Sequence, residues 1–254
     1  MTTTIPAGRP LPELGIAEAP TKLTFRIWRA GLWCGAVYCV LGLLFWAVIA
    51  GFLPPPHQDW DAARVKEFFS HDRVLIGIVG YCFISPLWTV MSIVLSRIMT
   101  RIEGRDGILH HVEFFGGMGT TAITMLSGIA WMVAAYQPED RSPELINAFS
   151  DLGWFIFNMT VMITFIQYLS FGLCILIDKR SEPLFPKWLA WLSFMVCATF
   201  VPICLLPFFP DSPFAWNGLI TYWVALGLFF AWVPFTLAAA FKATRRIEAE
   251  EVGG

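Results

Sequence analysis

Six stretches of this chain hold almost nothing that water solvates well. They cover residues 29–53, 72–97, 112–136, 149–177, 187–209 and 214–241. A hydrocarbon layer roughly 30 Å thick needs about 20 consecutive apolar residues of helix. Helix is required there because it satisfies its own backbone groups. Each stretch is long enough to cross with some tilt. Charge is correspondingly scarce: 14% of the 254 residues are charged and 57% are hydrophobic, against about 25% charged in a soluble globular chain. The expected fold class is all-α, a polytopic membrane helix bundle with about six transmembrane helices. Residues 24–246 form that one domain, flanked by cytoplasmic tails at 1–23 (Pro-rich and flexible) and 247–254.

Orientation follows from the basic residues, which stay on the cytoplasmic side of such a bundle. Arg9, Lys22, Arg26 and Arg29 precede the first stretch; Arg97, Arg101 and Arg105 follow the second. Lys179, Arg180 and Lys187 follow the fourth; Lys242, Arg245 and Arg246 follow the sixth. The opposite loops hold only Arg64, Lys66, Arg73 and Arg141, among acids such as Asp59, Asp61, Glu67, Glu139 and Asp211. Both termini are therefore expected in the cytoplasm. With no organelle signal visible, the bacterial cytoplasmic membrane is the expected home.

Local signals refine the picture. Ser142-Pro143-Glu144 has the form of a helix start, with Ser as cap, Pro in the first turn and Glu against the helix dipole. Within 59–69, Ala62, Val65 and Phe69 recur at helical spacing, as in a short amphipathic helix in the headgroups. Pro86, Pro202, Pro207 and Pro234 are expected to kink their helices. Pro86 and Pro234, each followed eleven residues later by an Arg, hint at an internal repeat, although prolines are common in membrane helices.

Several activities are excluded. No Lys or Arg falls mid-stretch, which removes a Schiff-base lysine and an arginine voltage sensor. His57 and His71 lie in one outer loop, His110 and His111 at the inner face. Ligands on opposite sides of a bilayer cannot share an ion held at about 2 Å. A histidine-box metal centre is excluded, and neither a metal nor another cofactor is expected. The six cysteines all fall inside apolar stretches without CxxC spacing and read as small buried hydrophobes. A net charge of -2 suggests no nucleic-acid partner.

Two polar constellations remain. Asn147, Asp151 and Asn158 recur along one helical face of the fourth stretch, and Asn217 and Thr221 stand four apart in the sixth. Together they would line an outer cavity that binds a ligand; the plainer alternative is interhelical hydrogen bonding. At the inner face, His110, His111 and Glu113 precede Gly116 and Gly117. His110 and Glu113 share a helix face, and the glycines let a ligand or another helix come close. The alternative there is a solvated interfacial turn.

No residue is assigned a catalytic role. Three functions fit this pattern. First is a carrier or binder of a small, mostly apolar molecule. Close behind is an accessory subunit packed against a membrane-protein partner. A lipid-directed enzyme using Glu113 with a neighbouring histidine ranks last. The lipid bilayer is the one partner common to all three.

Overall fold

The computed structural model describes residues 20–253. Among these the chain forms helices and no strands. Six helical segments are long and apolar enough to cross a membrane: Lys22–Ile49, Asp72–Glu103, Leu109–Ala135, Pro143–Ile177, Lys187–Phe208 and Leu219–Val252. They match the six apolar stretches of the sequence one for one.

The regular helices within these segments are α1 (Lys22–Gly42), α3 (Asp72–Ile84), α4 (Pro86–Glu103), α5 (Leu109–Ala135), α6 (Pro143–Met159), α7 (Met162–Ile177), α8 (Lys187–Phe200) and α9 (Ala225–Val252). A short α2 (Ala62–Phe69) lies in the first long loop. The segments close into a ring: α1 packs on α4 and α9, α9 on α8, α8 on α7, and α7 on α5. Helix α5 in turn touches α3, α4 and α6. The loops alternate between a basic end, which carries the described chain ends, and an acidic end.

Capping follows the sequence signals. Thr21 and Thr24 form a capping box at the start of α1. Ser142 accepts a hydrogen bond from the Leu145 N–H at 3.3 Å, and Asp61 accepts one from the Arg64 N–H at 2.8 Å. Each cap satisfies a donor that the first helical turn leaves free. At the other polarity, the Lys187 ammonium donates to the carbonyls of Ile175, Leu176 and Asp178, closing the end of α7. Helix α2 does not lie free of the bundle: Val65 and Phe69 are buried, and it packs on α6.

The expected tail boundaries shift. Helix α1 already begins at Lys22, and residues 1–19 lie outside the described region. Residues 247–252, expected as tail, continue α9. Glu248 pairs there with Arg29, and Glu251 with Arg101 at 3.1 Å, which gives the last turns something to hold.

The prolines act unequally. Pro86 follows a break at Ser85, and Pro202 and Pro207 lie in a 3-10 stretch, Val201–Phe208. Pro234 sits inside an unbroken α9. The two halves of the suspected repeat therefore differ in shape just where their sequences resemble each other.

Glycines set the closest approaches. Gly31 and Gly35 of α1 face Val90, Met91 and Val94 of α4, so this small-residue step serves packing within the chain. Gly77 of α3 lies against backbone atoms of Phe45 and Ala50, where an added methyl would overlap atoms that cannot rotate away. Gly227 of α9 faces open space. Gly77→Ala is expected to destabilise the purified protein by about 3 kcal/mol, the upper range for overpacking. Gly227→Ala is expected to leave stability unchanged or raise it by up to about 1 kcal/mol through helix propensity. Calorimetry of both variants in one detergent checks the pair.

Candidate functional site

Five of the six long segments depart from regular α-helix, and the departures converge. Helix α1 passes into a π-helical stretch at Leu43–Ile49. Helices α3 and α4 are separated at Ser85, and α6 and α7 at Thr160–Val161. Helix α8 tightens into its 3-10 stretch, and α9 is preceded by a π-helical turn, Leu219–Val224. Only α5 runs straight through.

These departures surround a single cavity in the acidic half of the ring. Its interior, measured as the space open to the centre of a water molecule, is about 90 Å³. One water needs about 10–15 Å³ by that measure, so several fit. Gly42 and Trp46 line it from the first segment, Tyr81 from α3, and Asn158 and Val161 from the α6–α7 break. Ile203 lines it from the 3-10 stretch, and Thr221 and Tyr222 from the second π turn. Helix α5 supplies Thr120 and Thr124, α7 supplies Thr164, and α1 adds Tyr38. The wall is aromatic and aliphatic with a few hydroxyls and one amide, the usual make-up of a small-molecule site. Of its lining residues, Val161, Leu226, Phe229 and Phe230 are only half-buried and stand part-way along the segments.

The expected ligand-binding set divides here. Asn158 and Thr221 line the cavity. Asn158 Nδ2 also donates to the Trp154 carbonyl at 2.9 Å, and the Thr221 hydroxyl to the Phe214 carbonyl at 2.9 Å. Asn147 and Asp151 do not reach it. They are half-exposed and bond to each other, Nδ2 to Oδ2 at 3.1 Å. Asn217 is a loop clamp whose Oδ1 accepts the Gln58 N–H at 3.1 Å. Gln58 also accepts the Trp216 N–H at 3.0 Å, so it stitches the two acidic-end loops together. The tyrosines and Thr120 carry no signal in the sequence, because nothing marks them out until their neighbours across the ring are known.

A second polar group lies nearer the basic end. Glu113 is 1% exposed. Its Oε1 accepts from Gln167 Nε2 at 3.1 Å, and the same nitrogen donates to the Ser92 hydroxyl at 2.9 Å. Gln167 Oε1 accepts from the Trp88 indole N–H at 3.4 Å, and the Thr120 hydroxyl, which also faces the Gly116 carbonyl at 2.9 Å, approaches it at 3.3 Å. Thr120 and Thr164 hydroxyls are 2.9 Å apart. The chain of contacts therefore runs from Glu113 to the cavity wall. Gly116 and Gly117 make it possible: Gln167 lies over both, and the Ser92 hydroxyl sits where a side chain at Gly117 would go.

The inner-face trio is only partly brought together: the His110 and His111 rings lie 3.9 Å apart, while Glu113 turns to Gln167. His110 is buried and turns to Glu103, whose Oε1 lies 2.7 Å from His110 Nδ1. Glu103 also accepts the backbone N–H groups of Leu109 and His110, so it caps α5. His111 is exposed, and Glu113 is buried. Among the described residues no three His, Cys, Asp or Glu side chains are placed to hold a metal ion. Glu103 was missed in the sequence because it sits within a charged turn, where an acid normally faces water.

No protein-family model matches the chain, and no curated protein or solved structure matches it.

Glu103→Ala removes a helix cap and the partner of a buried imidazole together. It is expected to cost about 2–3 kcal/mol of stability. The same change in a His110→Ala background is expected to cost less, because only the cap is then lost. Calorimetry of the two single variants and the double variant checks this.

Proposed function

We propose that this chain is a multi-pass protein of the bacterial cytoplasmic membrane, with both termini in the cytoplasm. We propose further that it binds or carries a small, mostly apolar molecule in the central cavity. The segregation of basic residues to one end supports the orientation. The convergence of five irregular segments on one cavity carries the function. Irregular backbone at membrane depth survives only inside protein or beside a cavity, and broken helices frame the binding sites of many carriers. The occupant is small, with one or two hydrogen-bonding groups to meet Asn158 and the threonine and tyrosine hydroxyls. It gains access from the hydrocarbon, past the half-buried Val161, Leu226 and Phe230.

Native mass spectrometry of the protein purified in mild detergent is expected to show a stoichiometric small molecule. Gly42 has room for a Cβ at ordinary contact distance, and a larger side chain there would occupy the cavity. Gly42→Leu is expected to lower occupancy at least tenfold and Gly42→Ala to preserve it. Asn158→Ala is expected to lower it about fivefold, one hydrogen bond's worth. Asp151→Asn is expected to change nothing. A wild-type polypeptide that is bare under these conditions would sink the binding reading and favour a subunit that packs against a partner.

Orientation is tested separately. Green fluorescent protein fused to the carboxyl terminus is expected to fluoresce, and alkaline phosphatase fused there to stay inactive. The opposite pair of results would reverse the topology.

A further inference from the structure

Glu113 is the one acidic side chain among the described residues with a buried oxygen, Oε2, that lacks a hydrogen-bond partner. An unpaired buried carboxylate is among the most costly groups a protein can hold. A counter-charge would have to come from an element packed against it, and none provides one. Helix α4 offers Ser92; α7 offers Gln167, Tyr168 and Cys174. His110, one turn earlier on α5, is committed to Glu103.

A metal cation does not suit this place either. The Trp88 indole N–H can only donate, so it holds the oxygen of the Gln167 amide on its side. The amide NH₂ is therefore turned toward Glu113 and Ser92. An NH₂ group repels a cation. A proton needs only one carboxylate oxygen, and Oε2 is free to take it.

We propose that Glu113 is a proton-binding site, neutral in the resting protein and reached from the basic end past His110 and Glu103. Gln167 links its charge state to the central cavity. Loss of the proton draws the Gln167 NH₂ toward Glu113 and loosens the amide oxygen from Thr120. Thr120 and its partner Thr164 form part of the cavity wall. Cavity contents and proton occupancy thus affect each other reciprocally. The proton site does not depend on a ligand being present, and its test uses none.

The test is infrared spectroscopy of the protein in lipid vesicles across a pH series. Exposed carboxyls ionise near pH 4 and lose the carbonyl stretch of the free acid by neutral pH. The wild type is expected to keep one such band at pH 7 and lose it as pH rises. Glu113→Gln is expected to abolish the band, and Asp151→Asn to leave it. If Glu113→Gln does not fold, Ser92→Ala retains the acid and is expected to shift the band's frequency. Thr164→Val is expected to move the titration midpoint by about half a pH unit, the scale of a weak hydrogen bond. Absence of the band in wild type, or a band that neither Glu113→Gln nor Ser92→Ala alters, would overturn the proton site. An unmoved midpoint in Thr164→Val would overturn its link to the cavity.

Discussion

A backbone carbonyl released from its helix must find another donor, because apolar surroundings supply none. This requirement governs the acidic half of the bundle, where the segments leave α geometry. Side chains answer it nearly every time. Ser85 Oγ donates to the Tyr81 carbonyl at 2.7 Å, Thr160 Oγ1 to that of Ile156 at 2.6 Å, and Thr199 Oγ1 to that of Val196 at 2.7 Å. The Tyr222 hydroxyl reaches across to the Phe52 carbonyl. The polar residues of this half are thus spent first on the backbone. Only a subset has an edge left to show to the cavity. The same back-bonding weakens the helical alternative locally, so the breaks and the groups that repair them arise from one set of residues.

The basic half is organised differently. Its helices stay regular and close on one another through glycines, and around Gln167 a group of polar side chains bonds to one another. The group around Gln167 is held in one orientation by a single donor-only neighbour, the Trp88 indole. In a low-dielectric interior such networks are costly when incomplete and rigid when complete. Within the group around Gln167 the Glu113 Oε2 atom is left without a partner, and the chemical interest of the region lies there.

The six segments were readable because apolar length is a one-dimensional property; their ends were not, because caps and ion pairs carry the helices past the apolar runs. The helix starts at Ser142 and Asp61 were readable because a cap is local. The site was readable only in part. Asn147, Asp151 and Asn158 share a face of a straight helix, but Asn158 lies at a break. It turns toward the ring's centre, while Asp151 stays near the acidic end with Asn147. Glu113 looked interfacial because it follows two histidines. Its burial depends on Gly116 and Gly117 admitting α7, a contact between residues 54 positions apart. Glu103 and Tyr38 owe their roles to partners on other turns and other helices, which no spacing rule reaches.

The aromatic side chains at the acidic end have an optical consequence. Trp216 stacks on Trp154 at 5.7 Å, Trp154 meets Trp131 at 5.0 Å, and Phe52 lies 4.8 Å from Trp131 and 5.7 Å from Trp46. Gly153 permits this by letting the Trp131 indole rest on the α6 backbone. At such separations excitation passes between indoles far faster than any one of them emits. Light absorbed at the loop residue Trp216 is therefore shared with Trp154 and Trp131. These three indoles behave as one antenna, and because Phe157 lines the cavity and lies 5.9 Å from Trp131, a change at the cavity wall is reported in the emission of indoles that do not line it.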